Sequence, residues 1–130
     1  MLQTELFGEV IHSYTRAQAI EDGVLVDVSE VASEAGIRFP VAVTRAVWGQ
    51  YVEVPPGVEC QDEQGRLWDI LWMLYCAIRR EGGGDRIFFE VTVRNHNGKL
   101  TRKDRVKLEA VCGPGDDGEA VITVLLPDED

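Results

Sequence analysis

The chain reads as a single α+β domain over residues 1–130, and two observations carry that reading. One is a densely apolar run with helical spacing at 66–79. The other is a change to a two-residue period after Gly82, so that helical segments come first and strands follow. The expected architecture is an antiparallel three-stranded C-terminal meander packed on a central amphipathic-to-buried helix, preceded by short N-terminal helices and one short strand. With 130 residues, 45% of them hydrophobic, the chain can bury one core without staples.

The central run, Arg66-Leu-Trp-Asp-Ile-Leu-Trp-Met-Leu-Tyr-Cys-Ala-Ile-Arg79, needs neighbours on nearly every side. At about 3.6 residues per turn, Leu67, Ile70, Leu71, Leu74 and Ile78 form one stripe, and Trp68, Trp72 and Tyr75 form a second beside it. Together they cover roughly 220° of the circumference, about twice the stripe of an ordinary surface helix. Asp69, Met73, Cys76 and Arg80 remain as a narrow strip that faces solvent or an edge, so Asp69 should matter little to stability, and Trp72 and Leu74 much. Asp62 caps the start and Glu63 suits the helix dipole, while Arg79, Arg80 and Gly82-Gly83-Gly84 supply the stop. A central core helix is the expected role; a Trp-lined ligand site is the alternative. With about 12–14 apolar residues interrupted by Asp69, the run is too short to span a bilayer.

Ahead of it, residues 1–14 read as a lead-in with Leu6, Phe7, Val10 and Ile11 as anchors and Gly8 as a turn. Thr15 caps a short helix from Arg16 to Asp22, ended by Gly23. Residues 24–28 are a compact β-rich run, and Asp27 or Ser29 then starts a two-turn helix closed by Gly36. Pro40 suits the first turn of a helix running to Gln50, on the spacing of Val41, Thr44 or Arg45, Val47 and Trp48, although Val41-Ala-Val-Thr44 also fits a strand. Val54-Pro-Pro-Gly57 makes 53–61 a loop.

After the glycines, Ile87, Phe89, Val91 and Val93 alternate with Arg86, Phe88, Glu90, Thr92 and Arg94, as in a half-buried strand. Asn97-Gly98 predicts a two-residue type I′ hairpin turn with positive φ at both positions. That turn sets Phe89 opposite Val106, Ile87 opposite Leu108 and Glu90 opposite Arg105, and makes Gly98→Val a strained substitution. Gly113-Pro-Gly-Asp-Asp-Gly118 turns the chain into the apolar run 120–126, expected inside the sheet or under a helix, and 127–130 is an acidic tail.

The net charge of −10 is unevenly placed: residues 79–107 hold nine Lys or Arg against four acids, a local +5 that leaves −15 for the rest. An acidic body repels nucleic acid and attracts basic surfaces, while the basic segment can touch phosphate locally. Cys60, Cys76 and Cys112 are odd in number and widely spaced, so neither a disulfide framework nor a zinc site is indicated, and a reducing compartment fits. The first residues carry acids where a secretory signal carries Lys or Arg, so a cytoplasmic protein with no membrane association is expected. His12 and His96 have no metal-ligand neighbours in the sequence. Ser13, Ser29 and Ser33 lack a nucleophile elbow, and both glycine-rich stretches read as turns. No cofactor is expected, and nothing in these motifs supports an enzyme.

Two surfaces are candidates for binding. Asp116, Asp117 and Glu119 form an exposed acidic turn suited to a protein partner. On one face of the hairpin, Arg86, Phe88, Thr92, Arg94, Lys103, Arg105 and Lys107 place cations around an exposed aromatic, and with the neighbouring Arg102 they make a candidate single-strand nucleic-acid site.

Several stretches spanning nearly the whole chain carry a resemblance: Leu6-Phe-Gly-Glu-Val-Ile-His-Ser-Tyr-Thr-Arg-Ala-Gln-Ala-Ile20, Asp22-Gly-Val-Leu-Val-Asp27, Phe39-Pro-Val-Ala-Val-Thr-Arg-Ala-Val-Trp48, Gly65-Arg-Leu-Trp-Asp-Ile-Leu-Trp72, Gly113-Pro-Gly-Asp116 and Leu126-Pro-Asp-Glu-Asp130. With these the chain resembles an uncharacterised family of small bacterial proteins, a domain of unknown function found largely on plasmids, phages and integrated elements. The resemblance implies an accessory gene carried by mobile DNA, and it brings no catalytic residue. Two functions are then expected. The first is a non-enzymatic accessory protein, an acidic inhibitor that occupies the basic nucleic-acid site of host restriction or CRISPR machinery. The alternative is a nucleic-acid-binding protein that uses the basic hairpin 86–107.

Overall fold

The computed structural model describes residues 14–129, so the anchors expected at 6–11, His12 and Ser13 lie outside the described residues. Its elements run α1 (Arg16–Glu21), β1 (Leu25–Asp27), α2 (Ser29–Ala35), β2 (Val41–Thr44), α3 (Arg45–Val47), a π-helical turn (Trp48–Val52), α4 (Glu63–Glu81), β3 (Arg86–Thr92), a 3-10 turn (Arg102–Asp104), β4 (Arg105–Pro114) and β5 (Ala120–Leu125). The class is α+β. The sheet is larger than expected, with five strands in the order β1-β2-β5-β4-β3; β2 and β5 run parallel and the other neighbours antiparallel. A separate three-stranded C-terminal meander is therefore not what forms, because β2 lies against β5 and joins β1 to the same sheet.

The short elements follow their caps. The Thr15 hydroxyl accepts from the Gln18 N–H while the Gln18 side chain accepts from the Thr15 N–H, a reciprocal box that starts α1. Gly36 ends α2 at φ 107°, and a Cβ there would come within 2.9 Å of the Tyr75 ring, so both backbone and packing demand glycine.

Residues 40–50 are not one helix. Val41, Ala42 and Val43 are fully buried in a strand paired on both sides, and the helix begins only at Arg45, where the Thr44 hydroxyl accepts from the Val47 N–H. Pairing with β1 and β5 occupies both edges, the Val41 N–H donates to Ser29 Oγ (3.0 Å), and β-branched side chains suit a strand covered on both faces; together these outweigh the helical spacing.

The core lies between one face of the sheet and the helices α2 and α4. Phe89, Val91, Leu108, Ile122, Val124, Val41 and Val43 meet Ile70, Leu71 and Leu74 there. The opposite face takes α1 at one end, where the Arg16 guanidinium donates to Thr123 Oγ1 (2.7 Å) and to the Ile122 carbonyl (2.8 Å).

α4 starts at Asp62, whose carboxylate accepts from the Gly65 N–H (2.6 Å), and stops at Gly82 in the left-handed region. Leu67, Ile70, Leu71 and Leu74 are buried as their spacing predicts. The second stripe is not. Trp68 and Trp72 are exposed, Trp72 at 44%, and the buried arc turns the other way, through Ala77 and Arg66, which is 5% exposed. The two indole rings stack nearly parallel at 6.3 Å, and Trp72 stacks on Tyr75 at 5.4 Å. The aromatics thus cover one another along the helix surface instead of entering the core.

Arg66 takes the buried place because its guanidinium has acceptors from several segments. Nε donates to the Val52 carbonyl (3.1 Å), one terminal nitrogen to the Arg94 carbonyl (2.6 Å) and to Gln61 Oε1 (3.4 Å), and the other to Asn95 Oδ1 (2.7 Å). This fastens the start of α4 to the end of the π-helical turn and to the chain leaving β3.

The β3–β4 connection differs from the expected hairpin. β3 ends at Thr92 and β4 begins at Arg105, so Asn97-Gly98 lies within a long loop, and Gly98 is not in the left-handed region. The register is shifted by two residues: Phe89 faces Leu108, Ile87 faces Ala110 and Glu90 faces Lys107. An even shift keeps each side chain on its expected face and changes only its partners. The cause is tertiary. Asn97 bonds the Glu59 N–H (2.8 Å) and the Gly57 carbonyl (2.9 Å), and Asn95 Nδ2 donates to the Gln50 carbonyl (3.2 Å), so both amides are drawn away from a local turn. Gly98→Val therefore loses the left-handed strain expected of it.

Urea melts should separate these roles. Leu74→Ala is expected to cost about 3–5 kcal/mol and Trp72→Ala about 1 kcal/mol or less, reversing the equal weight that the sequence gives them. Arg66→Met is expected to cost about 2–4 kcal/mol, because several buried acceptors lose their donors. A Trp72→Ala loss as large as that of Leu74→Ala would contradict the observed facing of α4.

Candidate functional site

The site is built from the open edge of the sheet. The Val93 N–H donates to the Asp104 carbonyl (2.9 Å), and the Cys112 N–H to the Asp85 carbonyl (2.8 Å). With the β3–β4 register, these bonds fix the alternation: Ile87, Phe89 and Val91 turn their backbone groups to β4, whereas Arg86, Phe88, Glu90 and Thr92 turn theirs outward. β3 is the last strand of its sheet, so that row faces no sixth strand.

A groove of about 650 Å³ follows this edge, with Asp69, Trp72 and Met73 of α4 on one side and Phe88, Arg105 and Lys107 on the other. Trp72 and Phe88 are each 44% exposed, so the groove is walled by large apolar side chains. Lys107 and Arg105 belong to β4 yet lean across β3. The Lys107 ammonium stands 4.8 Å over the Phe88 ring centroid, and the Arg105 guanidinium lies 3.6 Å from the Glu90 carboxylate. Asp69, on the groove side of α4, stays exposed, and partial desolvation there raises its carboxyl above the ordinary value.

The structure divides the basic residues expected on this face. Arg86, Phe88, Arg105 and Lys107 share it. Arg86 is ion-paired with Glu109, a carboxylate buried on the same face opposite Phe88. Arg94 curls into the loop, donating to the His96 and Gly98 carbonyls at 3.1 and 2.8 Å. Arg102 and Lys103 sit in the 3-10 turn, capped by Thr101. His96 is bound locally, with Nε2 2.7 Å from Asp104 Oδ1 and Nδ1 accepting from the Gly98 N–H. Sequence reasoning offers a Trp-lined site only as the alternative role of the helix, and it does not place Met73 or Arg80 in a groove. The signal lies in the strip Asp69, Met73 and Arg80, whose expected place is a solvent or edge face, and the edge it meets is β3.

The acidic turn is occupied by the fold. Asp116 accepts from the Arg16 and Ala17 N–H groups at 2.8 and 3.0 Å, capping α1 from a hundred residues away in the chain. Glu119 folds back to accept from the Asp117 N–H (3.0 Å) and packs over Gly115. Asp117, the third of these acids, stays exposed. Charge reversal at Asp116 would thus disturb the fold, contrary to the expectation for a solvated turn. Among the described residues no three His, Cys, Asp or Glu side chains converge to hold a metal ion, and no helix is long and apolar enough to cross a membrane.

Fold and groove together describe a small α+β protein built on a five-stranded mixed sheet with one open, aromatic-flanked edge. The chain belongs to the family of unknown function DUF6573, which matches residues 5–130. No curated protein and no solved structure matches it.

The Asp116 cap yields a pH prediction. The two backbone N–H bonds hold its carboxyl below the ordinary 3.8, so the folded pKa lies under the unfolded one. The stabilisation is then present in full above the unfolded value and is lost as pH falls through the folded value. In an NMR titration the Arg16 and Ala17 amide resonances should move together below pH 3.8, and in Asp116→Asn they should not. A midpoint above 3.8 would contradict the cap.

Proposed function

We propose that the chain is a non-enzymatic accessory protein of a mobile genetic element that acts by binding another protein, and that the groove between α4 and β3 is its binding surface. The observation that carries this reading is the set of exposed Trp72, Met73 and Phe88 side chains beside an unpaired strand edge. Exposed apolar area of that kind costs solubility unless something covers it. The mobile-element context rests on the family resemblance alone.

This keeps the interaction reading and moves its site. An inhibitor that lays an acidic turn into the basic groove of restriction or CRISPR machinery needs free carboxylates, and those of Asp116 and Glu119, though at the surface, accept from the protein's own backbone N–H groups. The nucleic-acid alternative needs an open aromatic face, and the Lys107 ammonium already stands over Phe88. Arg86 and Arg94 are committed to Glu109 and to loop carbonyls.

The test is a quantitative pull-down from bacterial lysate with three baits: wild type, Trp72→Ala with Phe88→Ala, and Asp117→Lys with Glu119→Lys. The aromatic variant should retain about a tenth or less of the wild-type partner, and the charge-reversed variant should retain most of it. Loss confined to the charge-reversed bait would restore the acidic-mimic reading. Salt-sensitive recovery of nucleic acid in place of protein would favour the basic hairpin.

A further inference from the structure

Resting on the groove as the binding surface, the next inference concerns what enters it. We propose that β3 takes up an extended peptide of alternating apolar and acidic residues as a sixth strand of the sheet.

The edge is suited to strand addition. β3 pairs with β4 through seven consecutive residue pairs without a bulge, so its outer side is a regular row of donors and acceptors at Phe88, Glu90 and Thr92. Proteins usually blunt such an edge with a bulge, a proline or a covering element. Here α4 stops short of the edge and leaves the groove instead.

Side chains of an added strand would alternate between two surroundings. Those on the helix side meet Trp72 and Met73, flanked along α4 by the opposite charges of Asp69 and Arg80, and this calls for apolar residues at the centre. Those on the other side meet the Phe88 rim, over which Lys107 and Arg105 already reach from β4, and this calls for carboxylates. Charge also decides against a second copy of this chain as the occupant. Edge-to-edge pairing of two β3 strands would bring Arg105 and Lys107 of both copies to one rim, whereas the carboxylates of an acidic peptide meet those cations with the opposite sign.

The probe is a fluorescein-labelled, acetylated seven-residue peptide of alternating Glu and Val, the length of β3, followed by fluorescence anisotropy. Three comparisons accompany it: the same peptide with Lys in place of Glu, the Glu peptide N-methylated at alternate residues, and a labelled oligothymidine. The Glu peptide should bind at least about tenfold more tightly than the Lys or N-methylated peptide or the oligothymidine, and about tenfold less tightly to the protein carrying Arg105→Glu with Lys107→Glu. Glu90→Pro removes an outward N–H while leaving the β4 ladder intact, as proline on an edge strand does, and should lower affinity similarly. The N-methylated peptide makes the same test without altering the protein, should that variant fail to fold.

Absence of binding up to about 1 mM Glu peptide overturns the proposal, as does equal or tighter binding of any of the three comparison probes. Concentration-dependent dimerisation abolished by Glu90→Pro overturns it in favour of a second copy. A lysate partner lost with Trp72→Ala and Phe88→Ala but kept by Glu90→Pro would leave the groove as the binding surface and remove strand addition alone.

Discussion

The guanidinium of Arg66 holds the architecture in register. It is buried against neutral acceptors from three places: Val52 at the end of the π-helical turn, Gln61 ahead of α4, and Arg94 with Asn95 after β3. Burial lowers its pKa, but an arginine stays protonated at any ordinary pH, so these oxygens face a permanent cation. Lysine would not replace it, because one ammonium cannot present a planar fork to acceptors arranged around it. The long loops 53–61 and 93–104 are tied to the same place by Asn95 and Asn97, so this one cluster fixes both.

From that anchor the facing of α4 follows. With Arg66, Ile70 and Ala77 turned down, Leu67, Leu71 and Leu74 fill the core between the sheet and α2, and Trp68 and Trp72 are left on the outside. Tyr75, held over Gly36, closes the aromatic stack on the α2 side, while Asp69, Met73 and Arg80 face the edge of β3. The groove is therefore a consequence of where the arginine is buried. The occupied acids repeat the lesson: Asp116 serves the start of α1, and that use, not solvent exposure, explains its place in the β4–β5 turn.

What the sequence made legible was local. Caps at Thr15 and Asp62, glycines at 23, 36 and 82, the buried leucines of α4 and the two-residue period of β3 each depend on neighbours a few residues away. What it hid was decided at long range. Val41-Ala-Val-Thr44 became a central strand because β5 arrives beside it from the end of the chain, and Asn97-Gly98 lost its tight turn because Asn97 bonds the loop at 57–59. The amphipathic pattern of α4 could not rank a tryptophan against an arginine for burial, since the acceptors that make Arg66 the better choice belong to other segments. For the site, the sequence found Arg86, Phe88, Arg105 and Lys107 on one face but grouped them with Arg94, Arg102 and Lys103, which lie in the connection after β3, and it could not set Trp72 across from them.

The groove requires β3 to be an unpaired edge held beside α4. Amide hydrogen exchange read residue by residue along β3 tests this most directly. Slow exchange at Ile87, Phe89 and Val91, bonded to β4, should alternate with fast exchange at Phe88, Glu90 and Thr92, whose N–H groups point outward. Uniform protection of all six in the free protein would show that the edge is already covered and would contradict the account.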